Sequence, residues 1–292
     1  MAPIDSVPNV HLKLASRADN VLLVRQALRG LADVVALDEV ELNDISTAVT
    51  EACNNVVSHA YEDAVGELDV EVHSSRRGFE VRVRDRGVGI GSAASQQQLG
   101  DVEGGIGLPV MRALTQELEF CEPAGGGTEV RMHFASAKAG ALQRPLDAVA
   151  HQLVERSPSG AQDMIAIDIG PATLARAVLR RVLTALAARA RFSTDRIAEV
   201  QQLAEELVAH LADSSEHGHL SAGISAVPRN LELTVGPLRP GSSRDGLAPM
   251  LERLTAEHNV VRADSIEVLA VRLVEPARGM STGLGGPADI TL

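Results

Sequence analysis

The 292-residue chain is 45% hydrophobic and 23% charged, which fits a globular protein with room for two domains. Its formal net charge is −12 and neither half is basic, so it lacks the surface that sequence-independent nucleic-acid binding needs; with no Trp and one Tyr it also lacks a base-stacking platform. Cys53 and Cys121 make neither a disulfide framework nor a metal-ligand spacing, no basic-then-apolar leader opens the chain, and no apolar run approaches the roughly 18 residues of a spanning helix, so a reduced, cytoplasmic setting away from membranes is expected.

Residues 8–15 read as a first strand. Val21, Val24, Leu28 and Leu31 recur at helical spacing across 17–35, and Leu42, Ile45, Val49, Ala52 and Val56 mark a longer helix over 40–61. Leu68, Val70 and Val72 alternate as a strand that turns at Ser75-Arg76-Arg77-Gly78 into a second strand, Phe79 to Arg84. A polar loop, Gly89 to Gly104, holds Gln96-Gln97-Gln98. Leu108, Val110, Met111 and Leu114 begin another helix, and Val130, Met132 and Phe134 alternate in a last strand entered through Gly125-Gly126-Gly127. This order predicts an α+β fold, a two-layer sandwich with helices on one face of a mixed, mostly antiparallel sheet.

A domain over 1–138 is followed by a linker at 139–161, with a short amphipathic helix on Leu146, Val149 and Leu153 and turn chemistry at Ser157-Pro158-Ser159-Gly160. Residues 162–276 then repeat the first domain. Helix 41–57 lies on 196–212 without a gap, strand 79–83 on 231–235, and 112–115 on 252–255. Apolar positions persist while polar ones do not: Asn55 falls on His210, Asp85 on Pro237 and Gly107 on Leu247. The reading is a degenerate second copy, followed by a flexible tail at 277–292.

The chemistry concentrates in four places. In the strand before Asp85, period two puts Phe79, Val81, Val83 and Asp85 on one face, with Glu80, Arg82 and Arg84 on the other. A carboxylate is thus delivered to the apolar side and followed by the glycine turn Asp85-Arg86-Gly87-Val88-Gly89. Burying it unpaired costs several kcal/mol, so donors should meet it, an adenine amino group among the candidates. Glu51 and Asn55 stand one turn apart at the border of the apolar stripe. An amide oxygen suits Mg²⁺ and a carboxylate one turn away suits a base, though a solvated helix edge is the plainer reading of the pair alone. Gly104-Gly105-Ile106-Gly107-Leu108 opens a helix, where backbone amides can bind phosphate; a simple helix-start loop is the alternative. Gly125-Gly126-Gly127-Thr128 is either a hairpin turn or a route for a Thr hydroxyl to a purine nitrogen. His59 reads as a structural histidine rather than a ligand or phospho-acceptor, Cys53 as a packed thiol, Arg86 as a phosphate contact or an exposed turn residue, and Gln96–Gln98 as a lid segment or a solvated loop.

The order of the four signals resembles the GHKL ATPase superfamily of gyrases, heat-shock chaperones, histidine kinases and mismatch-repair proteins. More narrowly, Glu51-Ala52-Cys53-Asn54-Asn55-Val56-Val57-Ser58-His59-Ala60-Tyr61, Asp85-Arg86-Gly87-Val88-Gly89 and Gly105-Ile106-Gly107-Leu108-Pro109 resemble the bacterial anti-sigma factor serine/threonine kinases, over about residues 8–135. The resemblance implies a Bergerat-type ATP-binding fold with ATP and Mg²⁺ as cofactors. Asn55 would hold the metal, Glu51 would be the general base, and Asp85 would accept from the adenine amino group with Gly87 and Gly89 in its turn. Gly105, Ile106, Gly107 and Leu108 would line the phosphates, Thr128 would support the adenine end, and 90–104 would be the lid.

It further implies γ-phosphoryl transfer in trans to a serine on a small antagonist (anti-anti-sigma) protein, and sequestration of a sigma factor. Few residues precede the first strand, so no phospho-histidine dimerisation helix is expected upstream. Family members are short and pair as homodimers; here the second copy would replace the partner, giving a monomeric pseudo-dimer with one nucleotide site. The alternative is an ATP-responsive binding module without phosphotransfer, which would not need Glu51. A chaperone- or topoisomerase-type ATPase would need transducer domains.

Overall fold

The computed structural model describes residues 7–61, 64–89, 107–123, 125–142, 164–214, 218–241, 247–263 and 266–276. Its first series of elements is β1 (Val10–Ala15), α1 (Ala18–Val35), α2 (Glu39–Asn55), a π-helical turn (Val56–Ala60), β2 (Glu67–Ser75), β3 (Gly78–Arg84), α3 (Gly107–Leu114), β4 (Glu117–Cys121), β5 (Glu129–Ala135) and a 3-10 turn (Ala137–Leu142). The second is β6 (Ile165–Ile169), α4 (Ala175–Arg189), α5 (Thr194–Ser214), β7 (Leu220–Val227), β8 (Asn230–Leu238), α6 (Ala248–Leu254), β9 (Glu257–Ala263) and β10 (Ile266–Val274).

All ten strands join one sheet in the order β4-β5-β3-β2-β1-β6-β7-β8-β10-β9. Read outward from the centre, the two sides have the same plan. At the centre β1 and β6 run antiparallel, and Leu12 in the middle of one faces Ile167 in the middle of the other. The helices repeat the symmetry. α1 ends on Ala36 in the left-handed conformation (φ 54°), and α4 is followed by Arg191 in the same conformation (φ 60°). The amides one residue further on, Leu37 and Phe192, close the matching bonds to Ala32 and Ala187. α1 meets α4 closely: a Cβ on Gly30 would come 2.7 Å from the Ala177 carbonyl oxygen. Arg181 to Asp33 and Arg189 to Asn20 tie the same helices.

Alternation explains the layers. Leu12, Leu14, Leu68, Val70, Val72, Phe79, Val81 and Val83 are buried, as are Val21, Val24, Leu28 and Leu31 on α1 and Ile45, Val49 and Ala52 on α2. Each such side chain contributes about 1.5–3 kcal/mol on burial, so the apolar faces fix which side of the sheet the helices cover.

Three expectations need correction. The sheet is not mixed: every described pairing is antiparallel. β5 inserts between β3 and β4, separating the two strands that the α3 crossover would otherwise leave side by side. β4 was not expected as a strand; it is a short edge strand whose Leu118 and Phe120 are only half-buried. The long helix changes to π-helical winding after Asn55. The Leu146–Leu153 helix, the Ser157–Gly160 turn and the 277–292 tail lie outside the described residues.

The sheet face away from the helices is not a plain solvated surface. Glu71, His73, Glu80 and Arg82 on it are all buried. Glu80 accepts from Arg82 Nε at 2.6 Å and Glu71 from Arg84 Nη1 at 2.9 Å, while Glu129 takes both Arg84 and Arg131. Ion pairing within and between strands makes burial of these charges tolerable.

Candidate functional site

α2 is fixed at its start. Asp38 Oδ1 accepts from the Glu41 amide at 2.9 Å, and Glu41 Oε2 accepts from the Asp38 amide at 3.1 Å, a reciprocal capping box. The Ser136 hydroxyl donates to Glu41 Oε1 at 3.0 Å, which ties that start to the end of β5. Asp38 before the helix and Glu41 three residues later spell this box in the sequence. The anchored helix carries Ile45, Val49, Ala52 and Cys53 inward. Its last turns hold Glu51 and Asn55 at intermediate exposure beside that buried stripe.

The carboxylate at the end of β3 is buried, at 5% exposure. Asp85 Oδ1 accepts from the Gly87 amide at 2.8 Å and the Thr128 amide at 3.2 Å, and the Asp85 amide donates to the Thr128 carbonyl at 2.9 Å. Asp85 Oδ2 accepts nothing from the described residues. One oxygen is therefore used to hold the carboxylate in place, and the other keeps an accepting capacity that no described residue uses.

Glycines shape the space around it. A Cβ on Gly87 would lie 1.9 Å from the Ala60 carbonyl oxygen, and one on Gly127 (φ 85°) 2.1 Å from the Asp85 carbonyl oxygen. Gly89 stands in the left-handed region (φ 73°) near Gly127. Across the end of α2, Gly107 opens α3 so close to Glu51 that a Cβ there would sit 2.9 Å from Glu51 Oε2. Leu108 is half-buried against the core, and Thr128 is buried at 9% exposure.

The structure thus brings Asp85, Gly87, Gly89 and Thr128 into one contact set and Glu51 and Gly107 into another, both at the C-terminal end of the helix that bears Asn55. Gly105, Ile106, the 90–104 lid and Gln96–Gln98 lie outside the described residues. Arg86 is exposed, 3.8 Å from Glu67. His59 lies in the π-helical turn and is exposed. Cys53 is packed as expected, and burial pushes its thiol up to about 12. Sequence reasoning missed Gly127, which looked like part of a turn, and Tyr61, whose partners are distant in sequence. That Tyr61 is the chain's one tyrosine and sits just past Ala60 was the available signal.

The residues present suit a nucleotide and a hard cation. Asp85 Oδ2 accepts nothing from the described residues, backbone approaches where a Cβ would not fit, and Asn55 and Glu51 offer oxygen donors. A second cluster is different in kind. His11, Asp69 and Glu71 hold donor atoms within 4.8 Å of one another. Glu71, however, already takes Arg84 Nη1 at 2.9 Å and His73 Nε2 at 3.0 Å, so the cluster is a lattice of ion pairs. A surface groove of about 540 Å³ lies between α1, α4 and α5, away from Asp85, and its Arg180 and Arg181 are paired with Glu205 and Asp33. Among the described residues no helix is long and apolar enough to cross a membrane.

A helix pair laid on an antiparallel sheet, with an acid at a strand end over glycine turns, defines a nucleotide-binding domain of the histidine kinase-like ATPase type, and residues 14–134 match the family described as the histidine kinase-like ATPase domain. Within that class, the chain belongs to the family of the serine-protein kinases RsbW. It is 32% identical over 131 residues to serine-protein kinase RsbW of Bacillus velezensis, covering 41% of this chain and 82% of that one. The proteins of the same name from Bacillus mycoides and Bacillus thuringiensis are 24% and 25% identical over 132 and 126 residues, covering 42% and 40% of this chain and 82% and 79% of theirs. Kinase chemistry with ATP is therefore the property of the family. A solved structure titled crystal form III of TP0453 aligns with 12% identity and a TM-score of 0.36, over 94% of this chain and 96% of that one, too loosely to bear on the fold.

Proposed function

We propose that the chain is an ATP-dependent serine/threonine protein kinase of the anti-sigma type, which phosphorylates a small antagonist protein in trans and sequesters a sigma factor. The observation that carries the nucleotide site is the buried Asp85, with Oδ1 pinned by two amides and Oδ2 left to accept. In this reading the adenine amino group donates to Oδ2, Thr128 supports the ring, and Gly87 and Gly89 let it approach. Gly105, Ile106, Gly107 and Leu108 are the proposed phosphate contacts, of which Gly107 and Leu108 open α3. Asn55 holds the metal.

Bound Mg²⁺ and ATP would supply the transferable γ-phosphoryl group and the charge neutralisation it needs. Glu51 would accept the proton of the incoming serine hydroxyl. Its closeness to Gly107 supports a base set against the proposed phosphate-binding turn, and a mere binding module needs none.

The second series is proposed as a degenerate copy of the first, which makes the chain a pseudo-dimer. What supports this is the repeated plan about the β1–β6 seam. At the matching positions Pro237 replaces Asp85, Leu247 is buried where Gly107 opens α3, and Glu206 is exposed and bonded to Gln202. The second half therefore lacks the adenine acceptor.

Glu51→Gln tests the enzyme reading. Expected are retained nucleotide binding, measured by calorimetry, and loss of radiolabel transfer from γ-labelled ATP to an antagonist protein. Unchanged transfer would remove Glu51 from the mechanism, and binding with no transfer in the parent chain would favour the ATP-responsive module.

A further inference from the structure

We propose that Tyr61 is a positioning residue for the nucleotide site: its hydroxyl fastens the Asp85 loop to the end of the helix that carries Glu51 and Asn55. The inference rests on the nucleotide-site reading and goes beyond it, because Tyr61 touches none of the groups assigned there to ligand or metal.

The Tyr61 hydroxyl donates to the Glu67 carbonyl at 2.7 Å and accepts from the Glu67 amide at 3.0 Å and the Arg86 amide at 2.8 Å. One donation and two acceptances use its full capacity. Its ring lies over Gly66, where a Cβ would come 2.1 Å from Tyr61 Cε1. The preceding residue grips the same loop, since the Ala60 carbonyl accepts from the Val88 amide at 3.0 Å. Ala60 and Tyr61 thus hold Val88 and Arg86, the two neighbours of Gly87, and the Gly87 amide orients Asp85 Oδ1.

This grip explains the π-helical winding over Val56–Ala60, a form that clusters at functional sites. The wider turn delivers a carbonyl and a phenol, on consecutive residues, to one loop. Loop and helix then form one frame, with the purine end and the base-and-metal end held at fixed separation.

Tyr61→Phe keeps the ring and removes three hydrogen bonds; Gly66→Ala displaces the ring. In the full chain both are expected to weaken Mg-ADP and Mg-ATP by the same factor, roughly tenfold, on the scale of one to two hydrogen bonds. KM for ATP should rise in step, with a smaller fall in kcat, because Glu51 keeps its carboxylate and loses only its fixed separation from the purine end. A purely structural role would instead lower the unfolding midpoint and leave nucleotide affinity and KM unchanged.

The chain has one Tyr and no Trp, so its near-ultraviolet-excited emission belongs to Tyr61 alone. Saturation of the parent chain with Mg-ADP, corrected for nucleotide absorbance, should change that emission, which keeps the test valid if a variant fails to fold. A parent chain that binds no nucleotide overturns the underlying reading. A parent that binds with unaltered emission, or folded variants that bind within twofold of it, overturns this inference alone.

Discussion

At the scale of single residues, Asp85 concentrates the consequences. Asp85→Asn keeps the size of the side chain and an Oδ1 for the Gly87 and Thr128 amides. It turns the other oxygen into a donor that faces a donor. The fold should survive and ATP affinity should fall by about 1–3 kcal/mol, the scale of a charged hydrogen bond left unmade. Calorimetry showing equal affinity would remove Asp85 from adenine recognition.

His11 and Glu71 make a pH prediction. Burial alone would lower the His11 pKa, but the hydrogen bond and charge of Asp69, with the charges of Glu71 and of Asp168 on the other half, raise it above 6.5. Burial would raise Glu71, but the His73 hydrogen bond and the charges of Arg84, His11 and His73 bring it to about 2. A raised folded-state histidine contributes stability that is full below 6.5 and lost as pH rises through its folded value. A lowered carboxylate contributes stability that is full above 4.5 and lost as pH falls toward about 2. Urea midpoints should therefore fall on both the acid and the neutral-to-alkaline sides, and His11→Gln should abolish the latter decline. A parent chain with a flat urea midpoint from pH 6 to 8 would show that the His11 pairing contributes nothing.

At the scale of elements, the end of α1 is strained in a way a substitution can relieve. Ala36 occupies the left-handed region at φ 54°, where its Cβ is unfavourable and glycine is not. Ala36→Gly should stabilise the fold by about 1 kcal/mol, read as a higher urea midpoint at unchanged slope; a lower midpoint would mean that glycine's freedom in the unfolded chain outweighs the relief.

The main elements were legible because their signals are local. Leu42 to Val56 mark α2 by period, and Phe79 to Asp85 mark β3 and the burial of its acid. β4 was not legible, because an edge strand with half-buried Leu118 and Phe120 has little apolar pattern. The burial of Glu80 and Arg82 was not legible either: one strand's alternation puts them on the polar face, and it does not show that Arg82 pairs with Glu80 on its own strand and with Glu71 on the next. The candidate site divides the same way. Asp85, Glu51 and Gly107 could be found from motif and spacing, whereas the grip of Tyr61 on Arg86 spans residues that only folding brings together.

At the scale of the whole molecule, the seam decides how many nucleotides one chain can hold and how many chains assemble. β1 and β6 satisfy each other's backbone groups, so the edges that remain among the described strands are β4 and β9, at opposite ends of the sheet. The central edge of the first series is already filled by the same chain, through a pairing of Val10 to Lys13 with Ala166 to Ile169 and a close approach of α1 to α4. Association through that surface would break hydrogen bonds and unpack buried leucines and valines in order to remake the same contacts between chains, with no gain in contacts and a loss of translational freedom. The chain should therefore sediment as a monomer at micromolar concentration. On the proposed reading of the second half as a degenerate copy, it should bind one ATP analogue per chain, because Pro237, aligned with Asp85, offers no carboxylate and the buried Leu247 stands at the position aligned with Gly107. Sedimentation equilibrium combined with calorimetric stoichiometry tests both parts. Two equivalent sites per chain would refute the single-site pseudo-dimer, and a stable dimer with one site per chain would move the assembly surface away from the central seam to a strand edge or the helix layer.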